Sequence, residues 1–349
     1  MPRRLWIVVA VVVALVVVTG GYLWWRHDDQ TSFSWAVDHA PAGAQRLSWT
    51  DWAAVRDHED VHLSAQSTTA ELHRFLDAAY DDDLSSTSAL VTSAPVLQQR
   101  FGFSPATADW ELFSQSDQGA VEMLHVPSVD LDDVADHLRE LGYGEPSDDD
   151  GVWQGGPDLL ATISPSLTGE LQYVALDRAD SLVLTSDTAE FLTVAMAAVR
   201  GSGPRSSGLD AVVDDAGEPL SSAVYSGDYA CGALAMAHAG GADRAAAQQL
   251  LAAAGEVNPY TAFAMSDEPS GGVRVAFEFA DDQAARANAD SRATLARGPA
   301  PGQGGTFGDR FRVTSVTAHG SLVVMELAPR PDASVLSDLS TGPVLFATC

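Results

Sequence analysis

The chain has 349 residues, 46% of them hydrophobic, and sets 19 basic against 48 acidic side chains for a formal net charge of −29. Every basic residue other than His is Arg, and the absence of Lys beside abundant Ala, Gly, Asp and Arg is the mark of a GC-rich genome. A surface this acidic repels nucleic acid, anionic lipid and polyphosphate, which excludes nucleic-acid binding and favours a cationic or protein partner. The length allows a sizeable core, as two domains or one large one.

Residues 5–25 form an apolar run with no charge. As a helix it measures roughly 31 Å, matching a hydrocarbon core of about 30 Å. Arg3 and Arg4 precede it, whereas Arg26 behind it is followed by Asp28 and Asp29. That bias predicts a single-pass signal-anchor: residues 1–4 in the cytoplasm, 5–25 across the cell membrane, and the C-terminal ectodomain outside the cytoplasm. A cleaved signal peptide begins in a similar way. Against cleavage, the run is longer than a usual apolar region, Tyr22, Trp24 and Trp25 sit where an aromatic belt belongs, and Thr19-Gly20-Gly21 is followed by further apolar residues. No Cys stands near the end of the run to be acylated. Residues 26–43 are polar and irregular and read as a spacer, with Phe33 and Trp35 docking on the fold.

The ectodomain's first half, 44–200, opens with a strand at 45–49, then a helix capped by Thr50 with Asp51 in its first turn and Trp52 and Val55 on one side. Thr68 or Thr69 caps a second helix carrying Leu72, Phe75, Leu76 and Ala79. Ser104-Pro105 reads as another helix start. A hairpin follows at 110–114 and 120–126, then an amphipathic helix with Leu131, Val134, Leu138 and Leu141 that Gly142 stops. After a strand at 152–154 comes a second hairpin, 171–176 and 182–185, turned by Asp177-Arg178-Ala179-Asp180. A helix entered at Asp187 and Glu190 ends at Gly201.

Residues 201–208 are Gly-, Ser- and Pro-rich and read as a linker. In the second half, 209–349, the order of elements returns: a strand at 222–226, a helix at 242–254, a hairpin at 260–265 and 273–279, a helix entered at Asp281, a hairpin at 311–317 and 322–327, and a helix entered at Asp332. Matched elements lie about 145 to 150 residues apart, which leaves a duplication open. The expected fold class is α+β, an N-terminal transmembrane helix followed by antiparallel sheets with helices packed on one face, which a duplication would divide into two halves.

Cys231 and Cys349 are the only thiols, and an oxidising compartment predicts a bridge between them. Closing so long a loop is worth about 4 to 5 kcal/mol in the chain-entropy model. The Asp runs do not have calcium-loop spacing: Asp148-Asp149-Asp150-Gly151 offers adjacent carboxylates, not alternating ones, and Asp81-Asp82-Asp83 reads as a solvated helix end.

One motif carries explicit chemistry. His58-Glu59-Asp60-Val61-His62 spells His-Glu-x-x-His, in which two imidazoles one helical turn apart grip Zn²⁺ while the Glu acts as base on the bound water. A zinc-dependent peptidase using His58, His62 and Glu59 is therefore the alternative function. Its context argues against it. Arg56 through Asp60 is a continuous polar stretch, and Ala65 and Thr68 stand where a metzincin carries Gly and its third His. Glu71 and His73 belong to the next helix. The expectation is that this is not a working zinc site. No Gly-x-Ser-x-Gly elbow, phosphate loop, Cys-x-x-Cys or dinucleotide fingerprint is present, so no cofactor and no catalytic residue is assigned. The expected function is a binding or structural protein of the cell envelope without catalytic activity.

At Thr50-Asp51-Trp52-Ala53-Ala54-Val55, Arg100-Phe101-Gly102-Phe103-Ser104-Pro105-Ala106-Thr107-Ala108, Leu171-Gln172-Tyr173-Val174-Ala175-Leu176 and Leu336-Ser337-Asp338-Leu339-Ser340-Thr341-Gly342-Pro343, the chain resembles uncharacterised single-pass, membrane-anchored exported proteins of actinobacteria. The resemblance implies an exported, anchored ectodomain and carries no activity, ligand or catalytic residue.

Overall fold

The computed structural model describes residues 30–148 and 151–349. The run 5–25 predicted to cross the membrane lies outside the described residues, among which no helix is long and apolar enough to do so.

The fold is α+β, built on one antiparallel sheet. Its strands are β1 (Arg46–Thr50), β2 (Trp110–Ser116), β3 (Gly119–His125), β4 (Trp153–Gln154), β5 (Tyr173–Asp177), β6 (Leu182–Ser186), β7 (Ser221–Ser226), β8 (Ala262–Asp267), β9 (Val273–Glu278), β10 (Phe311–His319) and β11 (Leu322–Pro329). They run β10-β11-β9-β8-β7-β1-β2-β3-β6-β5-β4 across the sheet. Outward from the central β1·β7 pair the two arms have the same order: first strand, hairpin, then the second hairpin with its later strand inside. Only β4 has no counterpart. In β1·β7, Leu47 faces Val224, Ser48 faces Ala223 and Thr50 faces Ser221, so two interior strands join the arms into one sheet.

The helices are α1 (Ser32–His39), α2 (Trp52–His58), α3 (Thr69–Asp81), α4 (Leu131–Leu141), α5 (Pro157–Ile163), α6 (Ala189–Val199), α7 (Asp210–Ala216), α8 (Gly227–Ala233), α9 (Gly241–Ala254), α10 (Asp282–Ala296) and α11 (Val335–Ser340). They cover both faces of the sheet, not one. On the first face, Phe33, Ala36 and Val37 of α1, Phe191, Leu192 and Ala195 of α6, and Val212 and Val213 of α7 pack over Leu47, Trp49, Leu112, Met123 and Leu184. On the opposite face, α2, α3 and α4 cover Leu124, Val174 and Val183, while α10 and α11 cover Phe263, Val275, Phe277 and Met325. The reason is in the strands: β6 is buried at every position and β3 nearly so, which demands cover on both sides.

Three local expectations also change. The spacer 26–43 contains α1, whose entry is fixed by Thr31 Oγ1 accepting from the Ser34 amide, and whose Phe33 is buried in the first-face core. Thr50 ends β1, so Asp51 caps α2 by accepting from the Ala54 amide. Ser104-Pro105 opens a turn in which Ser104 Oγ accepts from the Ala106 amide, and no helix follows. Thr68, one of the two residues read as the cap of α3, caps it in a reciprocal pair with Glu71, Asp130 caps α4, Asp281 opens α10 as read from sequence, and Gly142 stops α4 at a φ of 95°.

The last residues are strapped down by a buried cation. Arg292 of α10 is fully buried and donates to the carbonyls of Phe346 (2.6 Å), Thr348 (2.5 Å) and Asn258 (2.6 Å), with the rings of Tyr260, Phe277 and Phe279 around it. Burial lowers its pKa to about 10, still well above neutrality. Tyr260 donates to the Ala347 carbonyl, and the Cys231–Cys349 disulfide is formed, with a Cα–Cα distance of 5.7 Å.

Where the two arms meet on the second face, the sheet is polar inside. Asp267, Ser221, Thr50 and Glu111 are successive neighbours across β8, β7, β1 and β2, and Ser48, Phe113, Glu122 and Thr185 across β1, β2, β3 and β6. Asp83 crosses this seam to accept from the amides of Leu336 (2.7 Å) and Ser337 (3.2 Å), so the first half caps the last helix of the second. Burial raises all four carboxyls: Asp83 to about 6 despite those amides, Glu111 to about 7 despite donors from Trp52 and Ala89, and Asp267 and Glu122 well above the usual range. Neither oxygen of Glu122 has a hydrogen-bond partner. A carboxyl that holds its proton more tightly when folded stabilises the fold fully below its unfolded pKa and loses that contribution as pH rises through its folded pKa. Stability should therefore fall from about pH 4 to about pH 7 and be lower still at pH 8. Urea unfolding at pH 4.5 and pH 8 checks this; Glu122→Gln should stabilise the protein by about 1 kcal/mol or more at pH 8 and have little effect at pH 4.5.

Candidate functional site

The His-Glu-x-x-His segment does not lie on one helix. α2 ends at His58, Glu59 is its C-cap, and Asp60 adopts a φ of 51°, after which the Val61 amide turns back to the Arg56 carbonyl. His62 is thereby taken off the helical face that the motif's chemistry requires. The neighbour that His58 does acquire is Asp82, at the end of α3, with Nε2 3.8 Å from Oδ2. His58, Glu59 and Asp82 present ligand atoms within 4.8 Å of one another; His58 and Asp82 are exposed and Glu59 is half-buried. Burial raises the Glu59 pKa, and the Asp82 charge raises it further. This arrangement spends Glu59 as a neighbour of the imidazole instead of leaving it as a base facing metal-bound water. Metal analysis of the purified protein should find no stoichiometric zinc, with the same content in His58→Ala; zinc at one per chain that is lost in that variant would restore the peptidase reading.

A more organised site lies on the first face. Trp35 and His39, one turn apart on α1, stack at 4.1 Å between ring centroids. Trp110, the first residue of β2, is the registered partner of His125, the last of β3, and their rings stack at 5.4 Å. Trp35 leans on Trp110 at 5.9 Å, and Trp49 stacks behind Trp110 at 5.4 Å with its indole donating to the Pro219 carbonyl. The β5–β6 turn brings in Asp180. Its geometry is fixed by the buried Asp177, whose Oδ1 accepts from the amides of Ala179 and Asp180 and whose Oδ2 accepts from Arg200.

These parts enclose a pocket of about 270 Å³ lined by Gln30, Thr31, Ser32, Trp35, Trp110, His125 and Asp180. His125 pairs with Asp109, whose Oδ2 is 3.4 Å from His125 Nδ1. Burial lowers the pKa of His125, with Asp109 and Asp180 pulling the other way, and burial likewise lowers that of His39. Both imidazoles are neutral at neutral pH, so the charge lining the pocket is negative. A wider opening of about 550 Å³ is lined by Glu145, Val152, Met196, Ala197 and Arg200 among others and has no aromatic wall among the described residues.

None of these pocket residues was singled out as a site from sequence. Trp35 and His39 fell in the segment read as spacer, and Trp110, His125 and Asp180 in two hairpins read for their turns. The available signal was Thr31 followed by Trp35 and His39 at helical spacing.

Cys231 and Cys349, the two predicted bridge residues, are joined away from the pocket, on the face that carries Arg292. No family model matches the chain, and no curated protein matches it. A solved structure described as crystal form I of TP0453 overlaps 87% of this chain and 96% of its own at 7% identity, with a TM-score of 0.41, a likeness too loose to carry any argument.

Proposed function

We propose that the protein is a membrane-anchored, extracytoplasmic binding protein of the cell envelope without catalytic activity, and that its ligand enters the Trp35–Trp110–His125 pocket. The pocket carries this reading: apolar rings and a few polar groups converge in one preformed concavity, which is how small-ligand sites are built. The location rests on the charge-free run 5–25 with Arg3 and Arg4 before it, and on the resemblance to exported proteins of actinobacteria. A disulfide between the only two Cys residues suits an oxidising compartment. Only residues 26–29 separate the anchor from Gln30 at the pocket, so roughly 18 Å of extended chain is the longest tether between them. A site so placed samples the layer next to the outer membrane surface.

Thermal unfolding of the full chain in maltoside micelles, screened against small polar and charged compounds at millimolar concentration, tests the reading. At least one compound should raise the melting temperature by a few degrees through selective binding to the folded state. That shift should be absent in Trp35→Ala. Compounds that shift the variant equally, or no shift with any compound, would contradict the proposal.

A further inference from the structure

We infer that the pocket takes an organic cation, a substituted ammonium group whose carbon skin meets the rings of Trp35 and His125 and whose charge meets Asp180. The inference rests on the pocket being the ligand site and adds the class of ligand.

Three features of the site select that chemistry. The open aromatic walls are Trp35, whose indole can take a cation over its face, and the imidazole of His125, while Trp110, stacked between Trp49 and His125, forms the floor that fixes them. The lining residues include a carboxylate, Asp180, and no Arg. Arg205 acts on Asp38 and His39 and is not among the lining residues. An anion entering here meets the Asp180 carboxylate with no Arg in the lining, whereas a cation meets it within a chain of net charge −29.

Size and rigidity narrow the class. At about 270 Å³ the pocket is smaller than the usual drug-sized site and suits a compact head-group. A metal ion gains nothing from indole and finds only His125 and Asp180 as imidazole and carboxylate ligands, fewer than a protein metal site gathers. A substituted ammonium, weakly hydrated and apolar at its surface, gains from both ring and carboxylate. The turn that carries the carboxylate is also held in advance: Asp177 ties the amides of Ala179 and Asp180, and Ser181 holds a φ of 53° with its carbonyl accepting from the Val126 amide. Little backbone ordering is left to be done on binding.

Calorimetry on the full chain in phosphatidylglycerol nanodiscs, titrated with choline and with 3,3-dimethyl-1-butanol, separates charge from shape, since the alcohol copies choline without its charge. Choline should bind about tenfold or more tightly than the alcohol. Asp180→Asn, a change at an exposed side chain, should weaken choline about three- to tenfold and leave the alcohol unchanged, and Trp35→Ala should abolish both. Circular dichroism and melting of each variant establish that it is folded. In phosphatidylcholine nanodiscs, a fall in the apparent affinity for free choline assigns the lipid head-group as the source, and no change assigns a soluble cation; either supports the chemistry. Equal binding of alcohol and choline, unchanged choline affinity in Asp180→Asn, or no choline binding at all overturns the cation assignment. The pocket itself stands or falls separately, by whether any ligand's effect depends on Trp35.

Discussion

The pairing of β1 with β7 is the constraint on which the rest of the structure depends. Each is the first strand of its arm, and their antiparallel register turns what would be two sheet edges into the middle of one sheet. On the second face the pair presents Ser48, Thr50, Ser221 and Ala223, small side chains that leave room for Asp83 to cross and cap α11. On the first face it presents Leu47, Trp49 and Val224. Trp49 is the residue that links this centre to the pocket, because it packs at a tilt against Phe33 of α1 and stacks on Trp110 of β2.

The two faces are stabilised by different physics. The first is a continuous apolar layer in which α1, α6 and α7 bury aromatic and aliphatic side chains, each fully buried large one worth about 1.5–3 kcal/mol. The second has two apolar clusters separated by the carboxyl-rich seam of Asp83, Glu111, Glu122 and Asp267. Burying those groups without nearby cations works only if they keep their protons, so the join between the arms is tied to pH. The Arg292 strap is the opposite case. Its charge is kept, and three carbonyls and three rings take the place of water.

Much of this was legible in the sequence, for identifiable reasons. The hairpins announced themselves by turn chemistry at residues 115–119 and 177–180, helix entries by Thr68 and Asp281, and the disulfide by the cysteine count. The repeated order of elements was also visible before the strand order. Cover on both faces was not read, although Leu182-Val183-Leu184 already lacks the alternation of a one-sided strand. The pocket was missed because its parts are local nowhere: α1, the ends of a hairpin and a distant turn meet only once the sheet exists. His58 and His62 show the converse case, a sequence pattern whose spacing has meaning only on a helix, and α2 stops at His58, four residues short of His62.

Whether the aromatic pocket takes an organic cation can be read from a crystal of the protein soaked in tetramethylarsonium, with data collected at the arsenic absorption edge. An anomalous peak should appear between Trp35, Trp110 and Asp180 and disappear in crystals of Asp180→Asn. A pocket without arsenic, in crystals that take up the cation elsewhere or not at all, would contradict it.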